Sequence, residues 1–166
     1  MLNYNQALPK DTSKQDLQIK EVKPIMKLII RGKKREFISA IGKSLNILLP
    51  TEANTSTQSD KLTAVWLSPD EWMIFSNQPI DESSNDYETE KILNNNISKL
   101  NLGAITDVTD QFVMIDLKGN KIYELFQTGS PFNFNNFQNK KGAVIQTILN
   151  KVDIIVHNND KNSINL

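Results

Sequence analysis

Leu102-Gly-Ala-Ile-Thr-Asp-Val-Thr-Asp110 runs straight into Gln111-Phe-Val-Met-Ile-Asp-Leu-Lys-Gly-Asn120, and the chain reaches Gly129-Ser130-Pro131 through a short apolar-periodic stretch. Ala104 to Val108 and Phe112 to Leu117 read as strands. Asn120 is a suitable N-cap for a helix whose buried stripe is Ile122, Leu125 and Phe126. Gly129 is placed to be its C′ residue, and Pro131 prevents continuation. A loop with Phe132, Phe134 and Phe137 follows, then two β-rich runs, Val144 to Leu149 and Val152 to His157, around Asn150-Lys151. Strands separated by short breaks, with one helix among them, describe a mixed sheet covered on one side.

Working upstream, Met26 to Ile30 is a first strand, and Phe37, Ile38 and Ile41 form the stripe of a helix with Gly42 near its C-terminus. Lys33, Lys34 and Arg35 sit at the start of that helix, where its dipole disfavours positive charge, a hint that this end meets something acidic. Leu62–Leu67 and Trp72–Ser76 form a hairpin around Ser68-Pro69-Asp70-Glu71, because Pro at the second turn position fixes φ and Ser or Asp can bond back to the turn backbone. Trp66 and Trp72 flank the turn, and burial in the core is favoured over partner contact. A second helix is expected from about Ser84 or Asn85, with Leu93, Ile97 and Leu100 at helical spacing and Gly103 just past its end.

The predicted class is therefore α+β. Residues 26–110 have the order β-α-β-β-α-β, the ferredoxin-like split arrangement. Residues 111–166 form a second, incomplete β-α-β-β unit packed on the first. Residues 1–25, polar and broken by Pro9 and Pro24, are expected to be a flexible arm.

Composition removes several functions. Lys plus Arg and Asp plus Glu are equal at 19 each, so no net field favours nucleic acid or an anionic membrane. Basic residues gather between Lys20 and Glu36 and acidic ones between Asp81 and Lys91; such runs usually just face water. The absence of cysteine excludes disulfides, thiolate zinc sites and cysteine nucleophiles. Met1 to Thr12 lacks the basic head and apolar stretch of a signal peptide, and no run approaches the roughly 18 apolar residues that span a bilayer. A cytoplasmic protein is expected.

Few residues look reactive. His157 is the single histidine. It shares strand parity with Asp153, opposite Val152, Ile154 and Val156, and is expected to face solvent in a structural role. Asp107 and Asp110 are spaced by three, which does not put them on one face of a strand, so bracing the connection is favoured over acid/base chemistry. Lys118-Gly-Asn-Lys121 lacks the glycine spacing of a phosphate loop. Three Phe residues in one long loop either close the small core or offer an apolar patch to another subunit, and these two readings stand level. The candidate partner interface is thus Lys33, Lys34, Arg35, Phe132, Phe134 and Phe137.

Several of these stretches resemble the gamma subunit of heterotetrameric sarcosine oxidase: Ala104 to Asp110, Leu117-Lys-Gly119, Leu125 to Asn133, Phe137 to Gly142 and Gln146 to Val156. Val65-Trp-Leu-Ser-Pro-Asp-Glu-Trp72 is similar to that family's Trp-Leu-Gly-Pro-Asp-Glu-Trp signature, with Ser68 where Gly is usual. The resemblance covers most of the chain from about Met26. It implies a fold like the folate-binding domains of the glycine-cleavage T-protein, and a cofactor-free structural subunit. The complex would oxidatively demethylate sarcosine to glycine, with FAD, FMN, NAD, tetrahydrofolate and zinc associated with its alpha, beta and delta subunits. A stand-alone folate-binding or aminomethyltransferase-like protein is the rival, with Asp107 or Asp110 gripping the pterin. The family continues past the strand matching Val152–His157, which leads to the expectation of an open sheet edge or uncovered apolar face near Leu166.

Overall fold

The computed structural model describes residues 5–8, 10–80 and 87–166. The chain divides into two compact units: unit 1 joins residues 1–23 to 113–166, and unit 2 is the continuous segment 24–112.

In unit 1, β1 (Thr12–Lys14) and β2 (Leu17–Glu21) form an N-terminal hairpin, and β2 pairs with β8 (Ile115–Lys118). The expected loose arm is thereby corrected for residues 12–21. Leu17 and Ile19 alternate with Gln18 and Lys20, and Ile19 stands opposite Leu117, so burial of one face holds the strand in a sheet that local sequence does not reveal. The sheet continues through β11 (Ser163–Asn165) and β10 (Val152–Asp160) to β9 (Val144–Leu149), in the order β1-β2-β8-β11-β10-β9. All of its pairings are antiparallel, so the mixed sheet is corrected as well. The C-terminal strand is not itself an edge: β11 lies between β8 and β10, with Ile164 opposite Leu117 and 1 % exposed. Helix α3 (Ile122–Gln127) supplies Ile122, Tyr123 and Phe126 to the core of this unit.

Unit 2 contains β3 (Lys27–Arg31), α1 (Arg35–Leu45), β4 (Ser56–Gln58), β5 (Leu62–Ser68), β6 (Glu71–Ser76), α2 (Tyr87–Leu93) and β7 (Ala104–Asp107). Its antiparallel sheet runs β4-β5-β6-β3-β7. Without the added edge strand β4, that is the ferredoxin-like order, with the first strand between the third and the fourth. Leu28, Ile30, Leu62, Ala64, Trp72 and Ile74 share a core with Phe37 and Ile41 of α1 and with Leu93 and Ile97. Helix α1 passes through Gly42 and ends at Asn46, whose φ of 51° makes the left-handed cap expected nearer the glycine. The predicted start near Ser84 or Asn85 lies outside the described residues. After α2 the backbone widens into a π-helical turn, Asn94–Ser98. That extra width takes Leu100 off the stripe, leaving it 63 % exposed while Leu93 and Ile97 are fully buried. Gly103 is required by packing, since a Cβ there would collide with the Arg31 carbonyl and the Phe37 ring.

Candidate functional site

The hairpin turn answers the charge at the start of α1. Arg31 lies 3.9 Å from Asp70 and from Glu71, and Lys33 lies 3.8 Å from Asp70. Both cations are exposed, so these pairs orient the turn more than they stabilise it, at roughly 0–1 kcal/mol each. Ser68 Oγ donates to Asp70 Oδ1 at 3.1 Å, which holds the carboxylate where the cations meet it. Lys34 and Arg35 are exposed on the first turn of the helix, and Lys34 makes no side-chain cap.

The Phe loop points inward. Phe134 is 1 % and Phe137 6 % exposed, and neither offers a surface to another protein. Phe134 packs against Phe126, Phe132 and Phe137 with ring centroids 4.9, 4.8 and 5.6 Å away. Phe132 is half-buried on the rim of this group. Asn158, fully buried, fastens the loop by donating to the Phe137 carbonyl at 2.7 Å and the Lys140 carbonyl at 3.0 Å. Of the two readings of the loop, closure of the core is what the structure shows, and Phe134 and Phe137 leave the candidate interface. Alternation alone cannot supply this, because the anchoring asparagine lies on a distant strand.

Asp107 braces the connection, and Asp110 is exposed. Asp107 Oδ1 accepts from the Thr109 amide at 2.8 Å. Lys27, which sequence reading passed over, is 3 % exposed, and its ammonium donates to the carbonyls of Ile25 and Thr109, both at 3.1 Å. Its amide donates to Thr109 Oγ1 at 3.0 Å, and its carbonyl accepts from the Val108 amide at 3.0 Å. Burial lowers the Lys27 pKa, and the charges of Asp110 and Asp107 oppose that shift. The clasp joins the first residues of unit 2 to its last turn.

His157 is not at the surface. It is 6 % exposed, on the same sheet face as Val144, its partner across the ladder, and next to Asn165 on β11. The parity with Asp153 is as read, but alternation reports which face a side chain takes, not whether that face is covered. Asn159 donates to Asn165 Oδ1 at 2.6 Å, and Asn165 donates to Asp116. Burial pushes the His157 pKa down to about 4, against the opposing effect of its hydrogen bond with Asn165. The imidazole is therefore neutral at pH 7, while in the unfolded chain it titrates near 6.5. The stability it protects is complete above that value and is lost as pH falls toward 4, by about 3 kcal/mol at the lower limit. Urea titrations at pH 7 and pH 4.5 should show this loss, and it should be smaller in His157→Gln. An equal loss in the variant would assign the acid sensitivity to other groups.

Among the described residues there is no cluster of three or more His, Asp or Glu placed to hold a metal, and no helix long and apolar enough to cross a membrane. The Lys27 ammonium, the Asp107 carboxylate and the Asn158 amide are each bonded to the chain's own backbone.

Against models of protein families, residues 32–166 match the sarcosine oxidase, gamma subunit family. The chain belongs to that family. A solved structure of similar fold is the heterotetrameric sarcosine oxidase from Corynebacterium sp. U-96 in complex with pyrrole 2-carboxylate, at a TM-score of 0.78 and 14 % identity, with 93 % of this chain and 77 % of that chain covered. A comparison with curated protein sequences gives no match. The gamma-family match takes in the Trp hairpin, the Phe loop and the last three strands, while β1, β2 and β3 precede it. At the Trp hairpin the ladder shifts register between Trp66 and Ser68, just before the turn.

Proposed function

We propose that this chain is a structural, non-catalytic subunit of a sarcosine oxidase complex, working beside alpha, beta and delta subunits in the oxidative demethylation of sarcosine to glycine. The family match over residues 32–166 carries this reading. The use of the chain's polar side chains on its own backbone supports it. On this reading FAD, FMN, NAD, tetrahydrofolate and zinc are held by the partner subunits. Lys33, Lys34, Arg35 and the exposed rim of Phe132 are what is left of the interface drawn from sequence. Of the two acids on which the folate-binding alternative draws, Asp107 is tied to the Thr109 amide and Asp110 is exposed.

The test is affinity capture with the tagged full chain. Larger flavin-bearing subunits should co-purify, whereas the chain alone should be colourless and form no peroxide from sarcosine. Returned to a preparation of the other subunits that lacks it, the chain should restore activity or stability. Stoichiometric flavin binding, or turnover of an N-methylated amine by the chain alone, would overturn the proposal, and tight folate binding would favour the alternative.

A further inference from the structure

Among the described residues the two sheets end in four edge strands, and three have the usual protection. β1 is three residues long and carries Lys14, β4 is three polar residues, and β7 is four residues ending in Asp107. Short or charged edges resist pairing with a foreign strand. The fourth edge is different. β9 is Val-Ile-Gln-Thr-Ile-Leu, six residues without charge, proline or glycine, in unbroken register with β10 from Val144↔His157 to Leu149↔Val152. Ile148 on β9 and Val152 across the turn are 40 % and 64 % exposed.

The ends of this strand are marked by charge of one sign. Lys140 and Lys141 precede it and Lys151 follows it, all exposed. We infer that the β9 edge takes up an extended segment of another polypeptide by strand addition, and that this segment is uncharged and β-branched in its middle with acidic residues at both ends. A second copy of this chain fits poorly. Antiparallel pairing of two β9 strands sets Lys140 and Lys141 of one against Lys151 of the other, and parallel pairing sets like against like throughout. Backbone bonds would supply the affinity and the flanking lysines the choice of partner. Gln146 has a contact of its own within the chain, and specificity is assigned instead to the lysines and to Ile148. The inference rests on the subunit reading only in taking another chain as the source of the segment.

The probe is a synthetic peptide with alternating Val and Thr between two Asp residues at each end, added to the full chain. Amide hydrogen exchange in residues 144–149 should slow. Binding should weaken by about tenfold in Lys141→Glu/Lys151→Glu, and also when Asn replaces Asp in the peptide. Ile148→Lys, which charges the edge at an exposed position, should abolish it. Absence of protection in β9, equal binding of a Lys-flanked peptide, or self-association through β9 in sedimentation would each overturn the inference. Capture of the other subunits unchanged by Ile148→Lys would reject this edge and leave the subunit reading standing. Peptide protection without subunit capture would do the reverse.

Discussion

Trp72→Ala is expected to cost the protein on the order of 3–5 kcal/mol, a fall in melting temperature of roughly 10 °C. The ring is 2 % exposed and packs at 6.0 Å from Phe37, with Leu28, Ile30 and Ile74 in the same core. Its indole Nε1 donates to the Pro50 carbonyl at 2.8 Å, in a buried bond that ties the segment after α1 to the hairpin. Truncation removes the packing and the donor together, so the loss should fall toward the upper end of the range. Trp72→Phe separates the two contributions, keeping most of the apolar area and giving up the bond, at about 1 kcal/mol. Urea unfolding followed by circular dichroism reads both. An unchanged melting temperature in Trp72→Ala would place the ring outside the core.

Phe134→Ala should be comparably damaging in unit 1, at about 3–5 kcal/mol. Phe134 is the ring on which Phe126, Phe132 and Phe137 converge, and it closes a core that α3 alone is too short to cover. Phe132→Ala, at the half-buried rim, should cost distinctly less. The contrast checks the inward reading of the loop. A Phe134→Ala protein that keeps its melting temperature but no longer captures partner subunits would show the ring to be an interface anchor after all.

Much of unit 2 was legible because its signals are local. Ser68-Pro69-Asp70-Glu71 specifies its own turn, and the alternation on either side puts Trp72 and Ile74 inward without reference to anything distant. The ferredoxin-like order then follows from the element sequence. Unit 1 was less legible for the opposite reason. Leu17 and Ile19 alternate correctly but have no meaning until Leu117 is opposite them, and β11 is a three-residue strand whose central place depends on both neighbours. Polar anchors were hardest of all. Nothing around Lys27 or Asn158 in the sequence says that the ammonium holds two carbonyls or that the amide holds a loop. Of the basic residues read at the start of α1, Lys33 meets Asp70 of the chain itself, and Arg31, outside that reading, meets Asp70 and Glu71.

The clasp between Lys27 and Thr109 also bears on how the protein is made. The chain enters and leaves unit 2 at residues 24 and 112, so a ribosome finishes that continuous segment before β8 has emerged. The hairpin of β1 and β2 must therefore wait, its apolar face without a sheet, while unit 2 folds. Once Lys27 fastens the first residues of unit 2 to its last turn, the long intervening chain no longer counts as a loop. β2 then meets β8 across the short gap between two tethered strand ends, with little of the entropy loss that closing an unfolded loop of that length would exact. Val22, which donates to the Met114 carbonyl at 2.9 Å, is the first residue on the far side of the clasp to benefit.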